Sequence, residues 1–471
     1  MRRVYLLLVV CLAAPIQADG VETILTYLEE SQARFGSIAM DIWGFAELGY
    51  LEKKSAELLQ QVLVSEGFEV QTNVANLPTA FVGSFGVGKP VIGILAEFDA
   101  LPGISQSRSA TREIIEGKHA GHACGHHLFG AGSIASAIAV KRWLEGQKID
   151  GTIRLYGTPA EEGGSGKVYM VRAGIFDDVD VVLHWHPADR NSANASSTLA
   201  NKSARFKFSG ISAHAAAAPE RARSALDAVE SMNYMVNLLR EHVPQETRIH
   251  YIVSHGGEAP NVVPDYAESY YYVRHPSSDT LNRIWDRVIN IAEAAAKGTE
   301  TQVSIEVMHG NHSVLPNEEL SMLMHSNLRL VGGVHYDAEE IAFAETISAS
   351  LEGNLIGMEK KIMPFGSRQG MGSTDVGDVS WVVPTVGMRA ATWVPGTAAH
   401  SWQAIAAGGT SIGVKGMMVA SKTLALTARE LYLRPELMGA AWQEFRERRG
   451  ENFRYKALLG DRSPPLGYRL N

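Results

Sequence analysis

The sequence predicts an α/β protein in which a mostly parallel mixed sheet is flanked by helices. Residues 91–99 form a continuous apolar run that ends in polar side chains, which is typical of a strand buried on both faces of a parallel sheet. Residues 128–144 place apolar side chains at helical spacing, and further buried strands are predicted at 152–157 and 179–185. This alternation of strands and helices indicates a layered α/β architecture.

A smaller domain is predicted within the large one. Residues 203–209 and 267–273 alternate in the manner of half-buried strands, and amphipathic helices are predicted between and after them. The resulting order of strands and helices is typical of an α+β, ferredoxin-like domain. We therefore expect the inserted domain at residues 202–311, and the large domain at 19–201 and 312–471.

Residues 1–18 are predicted to be a signal peptide. Arg2 and Arg3 precede an apolar run at residues 4–14, and Ala18 supplies a small residue at the expected cleavage position. The run is shorter than the ~20 apolar residues that a membrane-spanning helix requires. No other segment is long and apolar enough to span a membrane. We expect a periplasmic or secreted protein.

The composition disfavours nucleic-acid binding and excludes an internal disulfide. The chain has 43 basic and 51 acidic residues, and its basic residues form no long run. A surface for nucleic acid is therefore not expected. Of the two cysteines, Cys11 lies in the predicted signal peptide, so Cys124 is the only thiol left and has no partner within the chain.

Clusters of ligand-type side chains carry the candidate chemistry. They are GHACGHH at 121–127, Glu161-Glu162, His184-Trp185-His186, and His400 within GTAAHSWQ. Thiolate and imidazole are preferred ligands of zinc and similar ions, and adjacent carboxylates are costly to bury without a positive partner. Each cluster alone has a structural alternative, such as a buried cysteine, a helix-capping histidine or a solvated acidic loop. Together they favour a metal centre at the carboxyl ends of the strands.

Two other catalytic motifs are not supported. GGSGK at 163–167 looks like a phosphate-binding loop, but Glu161 stands where that loop needs glycine and Val168 where it needs serine or threonine. No nucleophile elbow of a serine hydrolase has suitable partners.

The motifs resemble those of the aminoacylase/carboxypeptidase family of dinuclear metallohydrolases. The resemblance runs in the same order through nearly the whole chain after residue 18. It is carried by AEFDALPG (96–103), GHACGH (121–126), TPAEEGGSGK (158–167), WHP (185–187), AHAA (213–216), PNVVP (260–264), STDVGDVSW (373–381) and HSWQ (400–403).

The resemblance implies two divalent metal ions, zinc or manganese, and Glu161 as general base. The implied ligands are Cys124, His126, Glu162, His186 and His400. In most of the wider family the ligand from the third cluster, His184-Trp185-His186, lies three residues before the proline, which is His184 here. In the branch that this chain resembles it directly precedes the proline, so His186 is predicted and His184 is the alternative. Asp99 is expected to orient a ligand imidazole, and Glu97 stands where related peptidases carry a metal-binding histidine.

The resemblance also implies that the inserted domain serves as lid and dimerisation domain of a homodimer. His214 is expected to reach the partner subunit's site and to donate a hydrogen bond to the developing oxyanion. Asn261 and Arg274 are expected to hold a carboxylate of the substrate. A homologous companion subunit is a further partner that the resemblance suggests.

The predicted function is metal-dependent hydrolysis of an amide bond in an N-acyl or N-aroyl amino acid. The substrate would be a small amide or a short peptide that carries a carboxylate. One alternative is a dipeptidase or carboxypeptidase on the same metal site. Another is a non-catalytic, metal-dependent binding protein, which the pair Glu161-Glu162 disfavours because binding alone needs no base beside the ligand.

Overall fold

The computed structural model describes residues 19–470, so the predicted signal peptide lies outside the described residues. The helices are α1 (Asp19–Glu30), α2 (Gln32–Phe45), α3 (Lys53–Ser65), α4 (His126–Gln147), α5 (Gly166–Arg172), α6 (Ala225–Leu239), α7 (Ser278–Gly298), α8 (Glu318–Val331), α9 (Ala338–Ser348), α10 (Val376–Ser380), α11 (Trp402–Gly408), α12 (Ser411–Leu433) and α13 (Pro435–Arg449). The strands are β1 (Glu69–Thr72), β2 (Phe81–Val87), β3 (Val91–Ala96), β4 (Leu101–Pro102), β5 (Ala120–Gly121), β6 (Gly151–Gly157), β7 (Val181–Ala188), β8 (Ala200–Ser209), β9 (Arg248–His255), β10 (Tyr266–His275), β11 (Gln302–Asn311) and β12 (Thr385–Ala391).

The large domain is built on a six-stranded sheet with the order β1-β2-β6-β3-β7-β12. Strand β3 runs parallel to β6 and β7, and β7 runs parallel to β12, whereas β2 is antiparallel to both of its neighbours. Every residue of β3 is buried, as expected for a strand covered on both faces. Helices α4 and α12 pack on each other and on the sheet. The predicted mixed, mostly parallel sheet is confirmed.

The second domain has its own sheet and its own core. Its strands are all antiparallel, in the order β11-β8-β10-β9. Helices α6 and α7 cover one face of this sheet, where Phe206, Phe208, Tyr271 and Trp285 form a buried cluster separate from the core of the large domain. The predicted α+β domain is confirmed as a fold, and its sheet begins at Ala200 and ends at Asn311.

The topology brings the ends of three neighbouring strands to one edge. Strands β6, β3 and β7 are adjacent and parallel, so the residues that follow them share the carboxyl-terminal edge of the sheet. Residues 97–99 follow β3, residues 158–165 follow β6, and His186 lies close to the end of β7. Among residues 19–470, no helix is both long and apolar enough to cross a membrane.

Candidate metal centre

A tight turn places Cys124 and His126 side by side at the start of α4. Gly125 precedes the helix with φ +79°, and a Cβ atom there would lie 2.6 Å from Cβ of Pro187. Glycine is therefore required both for the backbone conformation and for the close approach to the end of β7. This approach brings Sγ of Cys124 to 3.4 Å from Nε2 of His186.

The ligand-type atoms form three overlapping groups among residues 19–470, of which two share Cys124 and the third consists of Glu97, His126 and Glu161. Cys124, His126 and His186 offer ligand atoms that all lie within 4.8 Å of one another, and so do Cys124, Glu162 and His400. Cys124 belongs to both of these groups. This sharing suits two neighbouring metal ions, and the sulfur, nitrogen and carboxylate donors fit zinc and similar ions.

Buried polar atoms without a hydrogen bond point to the same place. Nε2 of His126, Oε1 of Glu162 and Oε2 of Glu97 are buried and make no well-formed hydrogen bond among the described residues. Their polar neighbours belong to the same cluster, with Nε2 of His126 3.1 Å from Oε2 of Glu97 and Oε1 of Glu162 3.4 Å from Nε2 of His400. Such atoms are costly to bury unless something satisfies them. Bound cations would satisfy all three, so the residues present fit a metal centre.

The hydrogen bonds of His126 and His186 are made by Nδ1, so that Nε2 of each ring can bind a metal ion. Nδ1 of His126 lies 2.9 Å from Oδ1 of Asp99, and Nδ1 of His186 lies 2.7 Å from the carbonyl oxygen of Pro187. Since these oxygens can only accept, each Nδ1 carries the proton and each Nε2 is free to bind a metal. Burial also lowers the pKa of His186 to about 3, which keeps the ring neutral when no metal is present.

His184 lies on the same strand but away from this group. A Cβ atom at Gly387 of β12 would meet its ring at 2.2 Å, so the imidazole covers that glycine. His184 belongs to none of the three groups of ligand-type side chains found in residues 19–470. The geometry therefore favours the predicted His186 over the alternative His184.

The carboxylates of the centre repel one another in the absence of a metal. Removal from water and the charges of Glu97 and Glu162 raise the pKa of Glu161 well above its usual value. Burial likewise raises the pKa of the Cys124 thiol, and the charge of Glu162 adds to this effect. Positive charge at the centre would reverse both shifts, because it favours the thiolate and the carboxylate.

Asp99 makes the expected contact with a ligand imidazole and a second contact that was not predicted. Its Oδ1 accepts the hydrogen bond from His126, and its Oδ2 accepts one from the backbone N–H of Glu162 at 2.9 Å. One carboxylate therefore orients a ligand imidazole and also fixes the loop that carries Glu161 and Glu162.

Lys167 and Asp375 were not predicted as parts of the site. Nζ of Lys167 is fully buried, 2.7 Å from Oε1 of Glu97 and 2.7 Å from Oδ1 of Asp375. Its positive charge compensates the buried carboxylate of Glu97. No local pattern signals this contact, because Asp375 lies 208 positions further along the chain.

His400 lies at the rim of the centre. Its Nε2 is 3.4 Å from Oε1 of Glu162, and its side chain is 55% exposed. The backbone of His400 has φ +62°, which is rare for a residue other than glycine and is found mainly where the surroundings enforce it. The hydrogen bond from its backbone N–H to the carbonyl oxygen of Ala123 ties this loop to the Cys124 turn.

The remaining predicted residues lie in the second domain. His214 and Asn261 are exposed on adjacent loops, and the backbone N–H of Ala215 donates to the carbonyl oxygen of Asn261. Arg274 lies on β10, half-buried, with its Nε unpartnered among the described residues. Within residues 19–470, no hydrogen bond or ion pair joins these three side chains to the metal-ligand groups. The structure thus brings together the predicted ligands with Glu161 and Asp99, but not His214, Asn261 or Arg274.

The tautomer of His214 suits a hydrogen-bond donor. Its Nδ1 accepts from the backbone N–H groups of Ala216 and Ala217, each at 3.2 Å. The proton of the neutral ring is therefore on Nε2, which faces away from its own backbone.

The fold and the clustered ligand-type side chains indicate a metal-dependent hydrolase, and the comparisons with known proteins agree. A family model described as a peptidase dimerisation domain matches residues 199–300. One of the subunits of p-aminobenzoyl-glutamate hydrolase from Escherichia coli is 41% identical over 450 residues, which cover 89% of this chain and 93% of that protein. The Xaa-Arg dipeptidase of Mus musculus is 30% identical over 435 residues, which cover 89% of this chain and 90% of that protein.

Solved structures share the fold. An aminobenzoyl-glutamate utilization protein from Klebsiella pneumoniae superposes with a TM-score of 0.61 at 18% identity, covering 89% of this chain and all of that one. A dinuclear metal-binding peptidase of the M20 family from Bacillus subtilis superposes with a TM-score of 0.56 at 16% identity. The match covers 85% of this chain and 99% of that one. The chain belongs to the M20 family of metal-dependent peptidases and amidohydrolases, and the protein is an enzyme that hydrolyses amide bonds. A purely metal-binding role is thereby disfavoured.

Proposed function

We propose that this enzyme cleaves the amide bond of an N-aroyl or N-acyl amino acid, with p-aminobenzoyl-glutamate as the first candidate. The observation that carries the proposal is the pair of ligand groups that share Cys124, with the carboxylate of Glu161 beside them. The nearly full-length similarity to the Escherichia coli hydrolase supports the choice of substrate.

The proposed ligands are Cys124, His126, Glu162, His186 and His400. Divalent ions held by these residues would supply Lewis acidity and would lower the pKa of a nearby water toward ~7. Zinc and manganese both suit this donor set.

Glu161 is the proposed general base and general acid. Its carboxylate takes a proton from the attacking water and later gives that proton to the leaving nitrogen.

The second domain is proposed to complete the site across a homodimer. The exposed Nε2–H of His214 would donate to the oxyanion in the partner subunit's site. Arg274 is proposed to hold a carboxylate of the substrate, because its guanidinium can bind one in bidentate fashion. Its Nε has no hydrogen-bond partner among the described residues, and its guanidinium stacks 5.5 Å from the ring centre of Tyr272. Asn261, exposed next to His214, would contact the same substrate. On a chain of formal net charge −8, such local positive groups are needed to admit an anion.

We propose the cellular setting from the sequence, and a further partner from another relative. The predicted signal peptide at residues 1–18 supports export to the periplasm or beyond. A second, different subunit of the Escherichia coli hydrolase also matches this chain, at 28% identity over 277 residues. A homologous companion subunit is therefore a second proposed partner beside the homodimer.

A dipeptidase is the second candidate, and the similarity to Xaa-Arg dipeptidases supports it. The two functions would share the metal centre and differ in the pocket for the acyl group. They are distinguished by the substrates that the same protein accepts.

The test is a substrate panel on protein reconstituted with zinc or manganese. Release of product is measured from p-aminobenzoyl-glutamate, N-acetyl amino acids and simple dipeptides, beside the Glu161→Gln variant. We expect the aroyl-glutamate to be cleaved fastest, and the variant to keep its metal while losing about 10²–10⁴-fold in kcat. Turnover of dipeptides alone would establish the second candidate, and near-normal activity of Glu161→Gln would remove Glu161 from its role.

A further inference from the structure

The C-terminal segment, residues 451–470, reaches the loop that carries Glu161 and Glu162. Oη of Tyr468 donates to the backbone carbonyl oxygen of Glu162 at 3.0 Å, and Nη2 of Arg469 donates to the same oxygen at 2.6 Å. The guanidinium of Arg469 also stacks over the ring of Tyr468, 4.7 Å from its centre. A single carbonyl group of the catalytic loop thus receives two hydrogen bonds from residues more than 300 positions away.

The loop itself has a backbone that needs support. Ala160 and Ser165, which flank it, have φ +56° and +61°, values that non-glycine residues hold only when their surroundings enforce them. Tyr50 provides part of this support, because its Oη donates to the carbonyl oxygen of Gly164 at 2.7 Å. The rings of Tyr50 and Tyr468 pack edge to face with their centres 5.8 Å apart, so the two phenols brace the loop together.

The C-terminal segment is anchored before it reaches the loop. Leu458 belongs to the core of the second domain and Leu459 to the core of the large domain. Arg172 of α5 donates to the carbonyl oxygen of Arg462 at 2.8 Å, and Arg462 in turn donates to the carbonyl oxygen of Val307 on β11. Because the segment contacts both domains, the backbone that carries Tyr468 and Arg469 is held in place next to the loop.

We infer that Tyr468 and Arg469 are positioning residues for the catalytic loop. By holding the carbonyl group of Glu162, they fix the backbone from which the carboxylates of Glu161 and Glu162 project. This inference rests on the proposed function, which gives those carboxylates their roles.

The test compares the double variant Tyr468→Phe/Arg469→Met with Leu470→Ala as control. Leu470 is on the same segment but is 69% exposed and has no polar side-chain atom. A displacement of about 1 Å at a reacting group costs up to ~10²-fold, so we expect kcat of the double variant to fall about 10- to 100-fold with little change in KM or Tm. Arg469→Lys, which keeps a charged donor, should retain more activity than Arg469→Met.

Hydrogen exchange of the metal-free proteins gives a readout that does not depend on turnover. Backbone amides of residues 160–166 should exchange faster in the double variant than in the wild type, while those of α4 and β3 are unchanged. Unchanged kcat and unchanged exchange of the loop would overturn the inference. So would equal losses of Tm and activity with faster exchange throughout the chain, since these indicate a purely structural role. If the wild type cleaved no amide at all, the proposed function would fail, and the exchange of the loop would still test the contact.

Discussion

Replacing Lys167 with methionine removes the positive charge between two buried carboxylates. The lysine side chain is fully buried, and its Nζ lies 2.7 Å from both Glu97 and Asp375. Its backbone N–H also donates to Oδ2 of Asp375 at 2.9 Å and would remain in the variant. Methionine has a similar length and no charge. The change therefore leaves the volume nearly filled but removes the positive charge that compensates the two carboxylates.

The expected loss is large for a single substitution. Breaking a buried ion pair by removing one partner costs ~3–5 kcal/mol, because the remaining charge stays desolvated. Folded proteins have a total stability of only ~5–15 kcal/mol. The matched control is Lys422→Met, since Lys422 pairs with Glu29 at 2.9 Å but that carboxylate is 65% exposed. Such a surface pair contributes ~0–1 kcal/mol.

The assay is urea unfolding of the full chain at pH 7 and pH 5, followed by tryptophan fluorescence. The free energy of unfolding of Lys167→Met should fall by ~3–5 kcal/mol at pH 7 and by less at pH 5. The difference narrows because the unpaired carboxyl groups of the variant take up protons as the pH falls, which stabilises its folded state. A loss no larger than that of Lys422→Met, or a gap that widens at pH 5, would refute the reasoning.

Three further predictions concern histidines. His186→Ala should abolish binding of at least one metal ion in elemental analysis, whereas His184→Ala should keep both. Burial lowers the pKa of His309 to about 4, below the ~6.5 of an unfolded histidine, so its contribution to stability is complete above pH ~6.5 and is lost as the pH falls toward 4. The unfolding free energy of His309→Gln should therefore depend less on pH in this window, by up to ~1.4 kcal/mol per pH unit. Mixing inactive His214→Ala and Glu161→Gln chains should restore part of the activity, because a mixed dimer contains one intact site.

Each of these predictions has an outcome that contradicts it. Equal metal loss from both alanine variants would contradict the assignment of His186, rather than His184, as the metal ligand. For the pH dependence, the control is His335→Gln, which changes an exposed histidine. If the unfolding free energy of the wild type, His309→Gln and His335→Gln changed equally with pH, the predicted contribution of His309 would be wrong. Mixed chains that stay inactive after subunit exchange would show that His214 does not act across the dimer.

Much of the large domain was predictable because its signals are local. The apolar run at 91–99 contains β3, and the helical pattern at 128–144 lies within α4. Cys124 and His126 are two positions apart, so their placement needs only one turn. Strands β8 and β10 of the second domain were likewise predictable from alternation, since side chains on a strand point to opposite faces in turn, whereas β9 was not predicted.

The sequence by itself determined the kinds of donor atoms at the centre and the strand ends that carry them, because backbone periodicity and residue type are properties of short segments. Only the tertiary structure decided which of them meet. His184 and His186 differ by a single strand period, and only the neighbouring strand β12 shows that one ring lies over Gly387 while the other faces Cys124. The supports from Asp375, Tyr468 and Arg469 come from positions hundreds of residues away, and no local pattern encodes contacts that form only when the chain packs.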